Sequence, residues 1–157
     1  MAVVFGPSFY DELRAAGLDN VQMAWHPESG DIIGWDDLDE ATQDALAVVI
    51  GAHDPTMPAA PQTPLSMRQF WMAMALPPYS IITGTEALAA IKRTALPAVV
   101  NEVLAAIPDA TARLMAEGKL YGATEVRYDD ELTPLFAAKV NWSSRQTIEF
   151  FNHAATV

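Results

Sequence analysis

The sequence predicts a mainly α-helical protein with one small β-hairpin (α+β). It has an N-terminal helix-hairpin-helix module and a C-terminal bundle of short helices. Three observations lead to this expectation. Ser66 with Gln69, Thr83 with Glu86 and Ser143 with Gln146 each set a hydroxyl three residues before a Glu or Gln and ahead of an apolar run, the pattern of a helix capping box. Val21, Met23 and Trp25 alternate with other residues before the turn-forming PESGD, the pattern of a hairpin. Between them, Pro55, Pro58, Pro61 and Pro64 recur every three residues. That spacing favours extended, polyproline-like backbone and reads as a semi-rigid spacer. The expected organisation is therefore a module over residues 1–54, a linker over 55–64 and a helical module over 65–157.

Each N-terminal element has a local cause. In PSFYDELRAAGL, Phe9, Leu13 and Ala16 fall at helical spacing, Pro7 stands at the opening, and acids in the first turn suit the helix dipole. Gly17 is the stop. The hairpin follows, its second strand carrying Ile32, Ile33 and Trp35. Asp39 is then the N-cap of a helix whose apolar face is Ala45, Leu46, Val49 and Ile50, with Val48 completing the core-facing end and Gly51 closing it.

Beyond the spacer, SMRQFWMAMAL is a helix that Pro77-Pro78 terminates, and TGTEALAAIKR is a second. Pro97 suits the first turn of LPAVVNEVLAAI, where Val100, Leu104 and Ile107 form one stripe. Pro108 restarts the chain into DATARLMAEG. ELTPLFAAKVN and SSRQTIEFFNHAA complete a set of five or six helices.

Composition narrows the function. The chain has 157 residues, of which 51% are hydrophobic, enough for one domain or two small ones. Its 20 acidic and 9 basic residues give a net charge of −11, the wrong sign for gripping a phosphate backbone, so no nucleic-acid partner is expected. The charge is uneven. Residues 1–62 hold eleven acids against the single Arg14, whereas residues 63–157 hold nine acids and eight bases. The absence of cysteine removes disulfides and thiolate chemistry. The apolar stretch from Thr94 to Ile107 is too short and too polar to span a bilayer, and the opening MAVVFGPSFYDEL lacks a secretory pattern.

Candidate chemistry is sparse. His26, His53 and His153 have no partner at zinc-motif spacing. His53 reads as a helix-end residue serving the last carbonyls or the dipole, so His53→Gln is expected to leave assembly nearly intact, and Asp54-Pro55 reads as a turn. Asp36, Asp37, Asp39, Glu40 and Asp44 lack the alternation and glycine of a calcium loop and read as a solvated first turn. Asp129, Asp130 and Glu131 are an available carboxylate group, with nothing that sets their acidities apart. Phe70, Trp71, Met72 and Met74 crowd one short helix on more than one face. They are the candidate partner interface, set against the favoured reading that Met and aromatic residues here are ordinary filling of the helical core.

FYDELRAAGL, MAWHPESGDII and VVIGAHDP, in that order before a proline-rich linker, resemble the N-terminal module of small tail and tail-fibre-associated proteins of tailed bacteriophages. SMRQFWMAMAL, PAVVNEVLAAI, YGATEVRYDDEL and SSRQTIEFFNHAA are similar to the C-terminal pieces of such proteins, with residues 77–93 as an additional element. The resemblance implies a non-enzymatic structural or adaptor protein of the tail tip, baseplate or fibre attachment. It would use no cofactor or metal and act through contacts with other tail proteins. It would be present as a homo-oligomer or in multiple copies, in the virion and, during assembly, in the host cytoplasm. The alternative is a tail or tail-fibre assembly chaperone absent from the mature virion, and a third reading is a small tail-tip hydrolase using Asp129, Asp130 and Glu131.

Overall fold

The computed structural model describes residues 4–157, which divide into two compact units, the chain passing from one to the other between Ala60 and Pro61. Among the described residues, eight α-helices and two antiparallel sheets of two strands each make a mainly helical fold. The first unit runs α1 (Phe9–Ala15), β1 (Ala24–Trp25), β2 (Ile32–Ile33), a short 3-10 turn (Trp35–Asp37) and α2 (Glu40–Ala52). β1 and β2 pair with Ala24 opposite Ile33 and Trp25 opposite Ile32.

Local signals set these boundaries. Gly17 adopts φ 72°, a left-handed conformation that costs a glycine little, and the Leu18 N–H then bonds back to the Leu13 carbonyl at 2.8 Å to close α1. Asp39 caps α2 by accepting the Thr42 N–H at 2.9 Å, and this bond is the leading cause that holds its carboxyl below the usual range. Phe5, Phe9, Leu13, Leu18 and Leu46 form the core, with Trp25, Trp35, Val49 and Ile50 packed around it.

The proline-rich stretch is divided between the units. Asp54 accepts the Thr56 N–H at 2.9 Å, and the Ala60 N–H donates to the Asp11 carboxylate at 2.7 Å, so residues 55–60 are tied to the first unit by polar bonds. Between prolines that lack an N–H, Thr56 and Ala60 spend theirs on carboxylates and Met57 donates to the Asp54 carbonyl at 2.9 Å.

The second unit contains α3 (Met67–Ala75), α4 (Gly84–Ile91), α5 (Ala98–Ala105), α6 (Ala110–Gly122), α7 (Leu132–Lys139) and α8 (Ser144–Ala154). β3 (Leu65–Ser66) and β4 (Glu125–Val126) form a second small sheet, with Leu65 opposite Val126, that the sequence does not foretell. All three expected capping boxes are present with both reciprocal bonds, at the starts of α3, α4 and α8. The core is aromatic. Phe150 is fully buried and meets Phe70 at 5.6 Å, Tyr79 at 5.0 Å and Trp142 at 4.9 Å between ring centroids.

The α4 box carries a pH dependence. Glu86 accepts the Thr83 N–H at 2.9 Å and, across to α5, the Ala98 N–H at 3.0 Å. Those bonds, Thr83 first, hold its carboxyl below the ordinary range. A carboxyl depressed in the folded state stabilises above its unfolded pKa, and that contribution is lost as pH falls through the folded value. Glu86→Gln is therefore expected to lower stability at neutral pH and flatten the loss in acid, and Thr83→Ala to cost about 1 kcal/mol as a lost cap. Urea midpoints measured from pH 7 down to pH 3 check both; parallel pH profiles for wild type and Glu86→Gln would refute the linkage.

Candidate interaction surface

His53, the residue most suggestive of a site, is structural. It is the C-cap of α2, as the sequence suggests, its N–H bonding back to the Ile50 carbonyl at 3.3 Å, but its side chain is 0% exposed and bonds to Gly6 and Glu12 rather than to the last carbonyls of the helix. Nε2 accepts the Gly6 N–H at 2.9 Å, and Nδ1 lies 2.8 Å from Glu12 Oε2. A ring nitrogen that accepts has no proton of its own, so the proton sits on Nδ1 and is donated to Glu12. Ser8 donates to the other Glu12 oxygen at 2.7 Å, and Phe9 packs against the imidazole with centroids 5.1 Å apart.

Serine, glutamate and histidine are the ingredients of a hydrolytic triad, but here their order is wrong. The carboxylate stands between serine and imidazole, and the nitrogen that would activate a nucleophile is occupied by a backbone N–H. Gly6 explains how the backbone comes so close. A Cβ there would lie 2.1 Å from the Pro55 carbonyl oxygen, so only glycine fits.

The carboxylates at residues 129–131 are also engaged. Lys119 Nζ lies 2.9 Å from Asp130 and 3.4 Å from Glu131, and Arg127 Nε lies 3.1 Å from Asp129. Asp130 further accepts the Leu132 N–H at 3.0 Å, and its hydrogen bond with Lys119 is the main cause raising the lysine pKa. An open cleft of about 510 Å³ lies over this group, walled by Tyr128, Pro134, Trp142 and Ser144. A separate apolar cavity of about 70 Å³ sits between Trp71, Val103, Leu120 and Phe136.

On α3 the burial matches the core reading rather than the candidate partner interface. Phe70 (8% exposed), Trp71 (2%) and Met74 (0%) are core, and only Met72 is partly exposed. A helix packed against both α4 and α8 has more than one buried face, which is why its aromatics and methionines surround it. Among the described residues, no group of three or more His, Asp or Glu gathers in the manner of a metal site, and no helix is long and apolar enough to cross a membrane.

Comparison with protein-family models, curated proteins and solved structures finds no match to this chain.

Exposed large apolar residues are spread over several elements, Leu88 on α4 and Leu135 on α7 among them, and the most exposed are Val48 on α2 and Leu114 and Met115 on α6. On α2, Ala41, Ala45, Val48 and Ala52 fall on one outward line, and Val48 is 73% exposed although its sequence neighbours suggest a core position. On α6, Thr111, Leu114, Met115, Gly118 and Gly122 make the outward line, with Leu114 69% and Met115 70% exposed, while Ala116 is the one buried residue of the helix. Glu40 and Asp44 on α2 and Glu117 and Lys119 on α6 are exposed as on any surface helix, but an outward line of apolar and small residues beside them makes each helix a candidate contact face. The signal in the sequence was the run ALAVVIGA, which leaves no polar face to turn to water.

Proposed function

We propose that this chain is a non-enzymatic structural or adaptor protein of a bacteriophage tail, at the tip, baseplate or fibre attachment, working through protein-protein contacts. The observation that carries the adaptor role is that each compact unit exposes its own apolar helix face, α2 in the first and α6 in the second. Two such faces on one chain allow two neighbours to be held at once. In a symmetric assembly, individually weak contacts of this kind gain strength through repetition. The tail assignment is supported by the resemblance of FYDELRAAGL, MAWHPESGDII and VVIGAHDP to tail-associated modules.

Quantitative mass spectrometry of purified particles of the encoding phage tests this. Stoichiometric copies relative to known tail proteins are expected. Presence in infected cells with absence from particles would replace the reading with an assembly chaperone, for which the acidity of the first unit is the favouring feature.

A further inference from the structure

We propose that the outward face of α2 docks a partner protein that presents an apolar ridge flanked by lysine or arginine, an assignment that rests on the adaptor reading. Ala41, Ala45, Val48 and Ala52 occupy one line along the helix, with Gly51 beside them, and all are exposed. Single exposed apolar residues are ordinary, but four in register on the face opposite the buried Leu46 are a surface. Their small side chains admit a second backbone closely. A side chain added at Gly51 would meet nothing within 4 Å, so the intramolecular fold gives no steric reason for its absence.

Charge decides what covers this face. Asp36, Asp37, Asp39, Glu40 and Asp44 gather at the N-terminal end of the line, all exposed and with no ion pair among the described residues. The first 62 residues hold eleven acids and only Arg14, so a second copy of this unit brings like charge to the face rather than its complement. The rest of the chain is no better complement. Its bases number eight against nine acids, and Lys119, Arg127 and Lys139 are already paired with Asp130, Asp129 and Glu102. A partner protein that carries lysine or arginine along its flanks is the complement this charge selects. A surface one helix wide lies at the small end of specific interfaces, below roughly 1,200 Å², so micromolar binding is the expected regime.

The test uses the full chain and a synthetic helical peptide with leucines on one face and lysines along its flanks, titrated by calorimetry. Two control peptides replace the leucines by serine or the lysines by glutamate. Micromolar binding of the Leu/Lys peptide alone is expected, weakening as salt rises from about 0.05 M to about 0.5 M. Val48→Gln leaves the charge unchanged and should weaken binding about tenfold. The triple change Asp36→Asn, Asp37→Asn, Asp44→Asn should weaken it similarly, and Leu114→Gln with Met115→Gln should leave it intact. Far-UV circular dichroism checks that each variant is folded.

No binding by the wild type, equal binding of the Ser/Lys peptide, or binding indifferent to Val48→Gln overturns the proposal. So does a wild-type dimer in sedimentation equilibrium that Val48→Gln abolishes, which would assign the face to a second copy. The particle measurement is independent: absence from virions removes the tail assignment and leaves the peptide result standing, and the reverse also holds.

Discussion

Replacing Gly6 by alanine should cost the first unit about 3 to 5 kcal/mol, the sum of overpacking against rigid backbone and loss of a buried hydrogen bond. The new Cβ would sit 2.1 Å from the Pro55 oxygen and within 2.7 Å of the Pro55 Cα, and neither can rotate away as a flexible side chain would. Relief requires the N-terminal segment to lift, and lifting breaks the Gly6 N–H bond to His53 and unseats Phe5, which stacks on Phe9 at 4.1 Å. His53→Ala should cost a similar amount from the other side of the contact, because it leaves the Gly6 donor and the Glu12 carboxylate without the imidazole and opens a void beside Phe9.

A unit of this size has on the order of 3 to 9 kcal/mol of stability in all, so either change approaches unfolding. His53→Gln, which on the sequence reading leaves assembly nearly intact, is expected to cost about 1 to 3 kcal/mol, since a flexible amide cannot hold both bonds with the geometry of the ring. Urea unfolding followed by circular dichroism measures all three. Unchanged midpoints would show that the clamp contributes nothing.

Trp71→Ala is expected to destabilise the second unit by about 3 to 5 kcal/mol. Trp71 is 2% exposed and meets Phe70 edge-to-face at 5.0 Å, and Phe70 in turn meets Phe150 and Phe136. Loss of the indole removes one member of an aromatic cluster whose rings position one another, and the short helices around it have little else to bury. The readout is again the urea midpoint. If Trp71→Ala kept the midpoint and instead lost binding to a partner protein, the partner-interface reading of α3 would stand.

The two predictions differ in how far the sequence anticipated them. That Phe70, Trp71 and Met74 matter was evident from their crowding on nine residues of α3. Whether they face another chain or their own core depends on α4 and α8 arriving on either side, which is not encoded locally. His53 is the sharper case. Its neighbours in sequence suggested a helix end, yet its bonding partners stand 47 and 41 residues away. Gly6 carried a signal only in hindsight, because a glycine needed for close approach looks the same in sequence as one needed for a turn. In α2, the run from Ala45 to Ala52 offered apolar residues to every direction, so spacing alone could not say that Leu46 is buried and Val48 exposed.

By itself the sequence determined the helical class, the single early hairpin, the three capping boxes and the division between an acidic first unit and a balanced second one. These follow from interactions within a few residues, or from composition, and need no knowledge of where the chain returns. Tertiary structure alone decided the pairing of Leu65 with Val126, the attachment of residues 55–60 to the first unit, the burial of His53 and the exposure of Val48. Each of those depends on contacts between segments far apart in sequence, whose formation is governed by packing and hydrogen-bond satisfaction rather than by local propensity.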